Sequence, residues 1–215
     1  MSKHLLILGG GTAGTMMANH LRRRLSATEW RMTVVDRSEK HLYQPGFLFL
    51  PFGIYDENQI VRNTRDFMPR GVEFVQAEVD QITPQDHAVT LKDGREVKYD
   101  VLIVATGCRT APEETEGMLG PKWRVNVHDF YTLDGAKALR EKLQNFTGGR
   151  VVVHINEMPI KCPVAPLEFT FLADTFFRER GIRDACTRRP PGRSSRAGAA
   201  PPRWERPPAR SAQRC

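Results

Sequence analysis

Leu5-Leu6-Ile7-Leu8-Gly9-Gly10-Gly11-Thr12-Ala13-Gly14 carries an apolar strand straight into a glycine-rich turn, and the residues after it read as a helix. A second strand, Met32 to Val35, ends at Asp36. A strand, a G-x-G-x-x-G turn, a helix and an acid about 20 residues on form a dinucleotide-binding fingerprint. Gly9 permits the tight turn, Gly11 lets the backbone approach a pyrophosphate, and Gly14 lets helix and strand pack closely. The helix amino terminus, opening at Thr12 and Ala13, offers unpaired N–H groups to phosphate charge, and Asp36 sits where a carboxylate accepts bonds from a ribose.

Outward from Asp36 the chain passes through His41-Leu42-Tyr43-Gln44-Pro45-Gly46-Phe47, then a helical segment near Gln59 to Asp66. Strands are expected at Val72 to Val75 and Ala77 to Ile82, followed by a hairpin of Ala88 to Leu91 and Glu96 to Tyr99 about Lys92-Asp93-Gly94-Arg95. Val101 to Val104 is a continuous apolar run, expected of a strand covered on both faces, and it ends in Ala105-Thr106-Gly107. Helices follow near Leu133 to Leu143, with Asp129 as the helix-entry residue beside His128, and from about Pro166 to Arg180 with Gly181 as its stop.

The fingerprint, the β-meander and the Ala105-Thr106-Gly107 segment together resemble the FAD domain of the two-dinucleotide-binding-domain flavoproteins, the group containing disulfide reductases and type II NADH dehydrogenases. The resemblance covers Lys3 to Arg183. It implies an α/β fold: a Rossmann-like FAD-binding domain with a β-meander over residues 1–110, then the start of a second dinucleotide-binding-like domain over 111–184. It also implies that FAD is held by Gly9, Gly11, Thr12, Ala13 and Gly14, by Asp36 with Arg37, by Gln44 and Val79, and by Ala105, Thr106 and Gly107.

A second nucleotide site requires its own glycine turn after a strand. Val151 to Ile155 reads as that strand, but Asn156-Glu157-Met158-Pro159-Ile160-Lys161-Cys162 has no glycine, and Glu157 repels phosphate, which argues against a nicotinamide donor. The segment Pro159-Ile160-Lys161-Cys162-Pro163-Val164-Ala165-Pro166 instead resembles the redox-cysteine segment of sulfide:quinone oxidoreductases. That resemblance implies a Cys162 placed over the flavin and paired with a later cysteine, sulfide and membrane quinone as substrates, and peripheral attachment to the membrane through carboxyl-terminal helices. Lys161 and the following helix are expected to favour the thiolate of Cys162. Read without its segment, Cys162 is a small buried thiol. Cys108 is read as a packing residue, and Tyr43 and Phe47 serve equally as a flavin-facing loop or as aromatic core. No metal-ligand spacing is present.

The formal net charge of +7 lies in one place. Residues 185–215 hold eight Arg and one Glu, which leaves 24 bases and 24 acids before them. The neutral body gives no footprint for nucleic acid. Residues 185–215 contain no Val, Ile, Leu, Met, Phe or Tyr and are read as a disordered tail, the out-of-frame translation of a GC-rich gene, in preference to a basic binding arm. The second cysteine and the return of the chain into the FAD domain are expected beyond 184, so a non-catalytic FAD-binding fragment stands beside the enzyme. Within enzymes, the alternatives are the flavoprotein subunit of flavocytochrome sulfide dehydrogenase, against which the missing export signal argues, and a glycine-poor relative of NADH:quinone oxidoreductase, against which the missing second glycine turn argues. No apolar run approaches the roughly 20 residues of a membrane helix, and no signal segment precedes the first strand, so a cytoplasmic location is expected.

Overall fold

Leu5, Leu6, Ile7 and Leu8 are all buried, which places the first strand between two covered faces. The computed structural model describes residues 2–156, 158 and 160–187, so the tail from residue 188 lies outside the described residues. Strand β1 (Lys3–Leu8) leads into helix α1 (Thr12–Arg22) and strand β2 (Trp30–Asp36). Then come β3 (Lys40–Leu42), 3-10 turns at Gln44–Leu48 and Leu50–Phe52, α2 (Glu57–Ile60), β4 (Val61–Asn63) and a 3-10 turn at Thr64–Phe67. The rest is β5 (Val72–Gln76), β6 (Val79–Thr83), β7 (Ala88–Leu91), β8 (Glu96–Lys98), β9 (Val101–Val104), α3 (Leu133–Gln144), α4 (Ala165–Glu179) and α5 (Arg183–Thr187), with 3-10 turns at Pro84–Asp86 and Pro112–Glu114.

The main sheet has the order β5-β2-β1-β9 with every pair parallel. Side chains alternate across it with a period of two. Leu5, Ile7, Met32, Val34 and Phe74 pack on one face against Ala18 of α1, whereas Leu6, Leu8 and Val35 pack on the other against Val89 and Leu91 of the antiparallel meander β6-β7-β8. A Rossmann-type half is the result. The strand order reverses beside β1, so the crevice at the carboxyl ends of β1 and β9 is the switch point where such folds bind ligands.

Four expectations need correction. The stretch Gln59 to Asp66 is no single helix: β4 pairs antiparallel with β3, Lys40 opposite Asn63, and Asn63 then caps the 3-10 turn by accepting from the Arg65 N–H at 2.9 Å. Strand β9 is an edge strand bonded only to β1 among the described residues, which leaves Val101 and Val104 41% and 58% exposed. Residues 151–155 form no strand, and Val152 is 65% exposed; extended backbone becomes a strand only where a neighbour takes its N–H and C=O groups, and no described residue does so. Asp129 is not the helix cap; Thr132 is, its hydroxyl accepting the Gly135 N–H at 3.0 Å.

Helix α3 presents Ala136, Leu139 and Leu143 inward, and α4 presents Phe169, Ala173 and Phe177 at i, i+4 and i+8. These faces meet each other and Leu48, while Phe47 and Leu50 pack with Ile60 and Ala136. Helix α5 runs across the composition break at 184, with Cys186 packed against the same cluster. No helix among the described residues is long and apolar enough to cross a membrane.

Candidate functional site

The glycine turn is held from below. Gly9 has φ of 102°, and its N–H donates to the Val35 carbonyl at 2.7 Å. A Cβ on Gly9 would lie 2.3 Å from the Ala105 carbonyl oxygen, and one on Gly14 would lie 1.8 Å from the Gly9 carbonyl oxygen. Gly11 differs, because a Cβ there meets nothing within 4 Å. Backbone needs Gly9 and Gly14; the space above Gly11 is open.

Gly11 is the N-cap of α1 and has no side-chain cap, and the first turn carries no acid. Thr12 and Ala13 are exposed, so their N–H groups and the positive end of α1 face outward. Asp36 closes the side of this cradle: its Oδ2 accepts the Gly10 N–H at 2.6 Å and its Oδ1 the Ser38 N–H at 2.9 Å. With those donors fixing one direction, the remaining lone pairs are available to ribose hydroxyls. The Ala105 N–H donates to the Leu8 carbonyl at 2.7 Å, which brings Ala105, Thr106 and Gly107 alongside the turn. Thr106 and Gly107 are exposed. An uncapped helix start, a carboxylate beside it and open room above Gly11 fit the pyrophosphate and ribose of the FAD implied by the sequence.

Arg37 is exposed next to Asp36, and its carbonyl accepts from the Gln76 amide at 3.4 Å. Val79 is reached through Ala77, whose N–H donates to the Asp36 carbonyl at 2.9 Å, but the Val79 side chain packs under the meander beside Leu91. Only its backbone remains for a ligand. His41 points its Nδ1 at the Gly10 carbonyl, 3.2 Å away, and thus ties the glycine turn to the loop that follows β3. Gln44 is three residues further on, a reach of roughly 10 Å at most.

Lys161 reaches that loop from across the molecule, its Nζ donating to Gln44 Oε1. Two segments singled out from the sequence, 117 residues apart, therefore meet. The Lys161 ammonium is thus engaged by Gln44. Cys162 is half-buried two residues before Val164, the N-cap of α4. Glu157 and Pro159 of the glycine-free turn lie outside the described residues. Of the two aromatics, Phe47 is core and Tyr43 is 51% exposed. Cys108 is exposed, not packed, because the chain after β9 leaves the edge of the sheet there. No cluster of three potential metal ligands occurs among the described residues.

Tyr131 was not among the residues marked by the sequence. Its hydroxyl donates to the Cys162 carbonyl at 3.2 Å, and burial together with the nearby Cys162 charge holds its phenol above the ordinary value. An aromatic pair just ahead of a helix cap, Phe130-Tyr131, was the only local signal, and it does not name a partner 31 residues away.

Residues 3–154 match the family described as pyridine nucleotide-disulphide oxidoreductase. The mitochondrial sulfide:quinone oxidoreductase of Dictyostelium discoideum is 29% identical over 181 residues, 84% of this chain and 40% of that protein. Its counterpart from Mus musculus is 29% identical over 179 residues, 83% of this chain and 39% of that one. The crystal structure of the sulfide:quinone oxidoreductase from Aquifex aeolicus superposes with a TM-score of 0.68 at 23% identity, covering 86% of this chain and 42% of that one. The chain spans about two fifths of the length of these curated relatives.

Proposed function

Because the chain belongs to the pyridine nucleotide-disulphide oxidoreductase family, whose members are FAD-dependent flavoproteins, we propose that it is a flavoprotein of the sulfide:quinone type with Cys162 as its sulfur-handling thiol. FAD, when bound, takes up two electrons and releases them singly or together to an acceptor such as a quinone. The residues of the chain bind and orient. The N–H groups of Gly11, Thr12, Ala13 and Gly14 receive the pyrophosphate, Asp36 the ribose, Arg37 and the Val79 backbone flank the adenosine end, and Gln44 with Ala105, Thr106 and Gly107 flank the flavin end. Sulfide enters at Cys162, and membrane quinone leaves with the electrons at the periphery of the bilayer.

What supports this reading is the Lys161–Gln44 contact, which draws the Cys162 segment to the loop tied by His41 to the glycine turn. The glycine-free stretch before Cys162 speaks against a nicotinamide as donor. A second reading rests on the share of the relatives that the chain spans: an FAD-holding polypeptide that turns nothing over. The absorption spectrum of the purified chain, with sulfide then added anaerobically, separates the two. A flavin spectrum bleached by sulfide and left intact in Cys162→Ser is the expected result. Flavin that sulfide does not bleach leaves the second reading, and a colourless protein removes both.

A further inference from the structure

The Cys162 carbonyl accepts two hydrogen bonds, one from the Ala165 N–H at 3.2 Å and one from the Tyr131 hydroxyl at 3.2 Å. The first is local and turns the chain into α4. The second crosses from the entry of α3, and everything behind it is fixed. The Tyr131 N–H donates to Asp129 Oδ1 at 3.0 Å, and the same oxygen takes the Thr132 N–H at 3.0 Å and hydroxyl at 2.9 Å. Asp129 is itself paired with Arg124 at 3.1 Å.

The ring of Tyr131 is fixed too. It stacks on Phe130 with centroids 5.1 Å apart; Phe130 stacks on Phe169 of α4 at 4.9 Å and 4°; and Phe169 contacts Phe52 at 5.1 Å. Phe169 is buried in the cluster that joins α3 and α4. The segment that Tyr131 faces is less packed: Lys161, Pro163 and Val164 are exposed, Ile160 and Cys162 are half-buried, and the Lys161–Gln44 hydrogen bond is its other tie. A rigid hydroxyl therefore holds a loosely packed loop at the one residue whose sulfur matters.

We propose that Tyr131 is a positioning residue for Cys162: its hydroxyl fixes the Cys162 carbonyl, hence the peptide plane and the direction of the Cα–Cβ bond that carries the sulfur. The assignment rests on the reading of Cys162 as the sulfur-handling thiol. Tyr131 itself touches neither substrate nor FAD in this role.

Tyr131→Phe keeps the stack and deletes only the hydroxyl, so a side chain that served packing alone would be unaffected by it. Alkylation by iodoacetamide, followed peptide by peptide with mass spectrometry across a range of pH, reads the tether directly. Loss of one such hydrogen bond raises the open population of the loop, so Cys162 in Tyr131→Phe is expected to alkylate about three- to tenfold faster, while exposed Cys108 is unchanged. In the flavin-loaded protein, the limiting rate of bleaching by sulfide falls by a similar factor and the half-saturating sulfide concentration stays the same. Identical Cys162 alkylation profiles in the two proteins overturn the proposal. Alkylation needs neither sulfide nor FAD, so a chain inert to sulfide defeats the sulfide reading while leaving the tether measured.

Discussion

The three fingerprint glycines serve different masters, and substitution separates them. Gly9→Ala forces a methyl onto the Ala105 carbonyl and a side chain into φ of 102°, and Gly14→Ala forces one onto the Gly9 carbonyl. Backbone must shift in both, so both are expected to lower the unfolding midpoint of the chain without any ligand present. Gly11→Ala meets no atom of the protein. Its cost to the fold is that of a poorer N-cap, about 0.5–1 kcal/mol. Its methyl, however, enters the room a pyrophosphate needs, so flavin retention on gel filtration should be lost while the midpoint barely moves. Equal destabilisation by all three would show that the turn is structural and carries no ligand space. Sequence spacing already assigns each glycine a different task; the contacts around each add how tightly Gly9 and Gly14 are enclosed and how open Gly11 is.

At the scale of elements, what could be read was what neighbouring residues encode among themselves. Strand β1, the turn and α1 are contiguous, the Asp93-Gly94 hairpin is closed by its own turn, and α4 shows its apolar face at helical spacing, so each was legible. The misread stretches depend on distant partners. Val61–Asn63 becomes a strand because Lys40–Leu42 pairs with it, and residues 151–155, apolar enough for a strand, find no strand partner among the described residues. The site follows the same rule. The glycine turn, Asp36 and Ala105-Thr106-Gly107 were legible as local motifs. The Lys161–Gln44 and Tyr131–Cys162 contacts were not, since neither residue type nor spacing states which residues 117 and 31 positions apart meet where the segment leading into α4 docks. That joint can be weighed. Phe169 is 5% exposed and lies between Phe52 and Phe130, so Phe169→Ala is expected to cost about 3–5 kcal/mol in urea unfolding. Phe171→Ala, two residues away and 72% exposed, should stay within about 0.5 kcal/mol. Similar losses for both would mean that α4 does not dock through this face.

Across the whole molecule, the sheet and its meander are joined at the end away from the glycine turn by one imidazole. His4, on β1 and 7% exposed, has Nδ1 2.6 Å from the Lys98 carbonyl at the end of β8 and Nε2 2.8 Å from the Thr33 hydroxyl on β2. Its backbone N–H donates to Asp100 Oδ2 at 2.6 Å, and with the Nδ1–H directed at the Lys98 carbonyl the neutral ring's Nε2 accepts from the Thr33 hydroxyl. The charged groups facing the ring are Arg31, Glu73 and Asp100. Burial is the main cause that holds His4 below the ordinary imidazole value, with Arg31 acting in the same direction against the Lys98 carbonyl and the two carboxylates. The folded protein thus resists a proton that the unfolded chain accepts, and the unfolded state gains protons first as pH falls. The stability tied to the neutral ring is complete above the unfolded value of about 6.5 and is lost as pH falls from there through the lower folded value. His128, also held low mainly by burial, adds a contribution of the same sign in the same window. The urea midpoint is therefore expected to drop between about pH 7.5 and pH 5, with His4→Gln and His128→Gln each flattening part of that slope and the pair flattening most of it. A slope unchanged in both variants would mean that neither imidazole is its source, and would leave His4 as a neutral strut between two sheets.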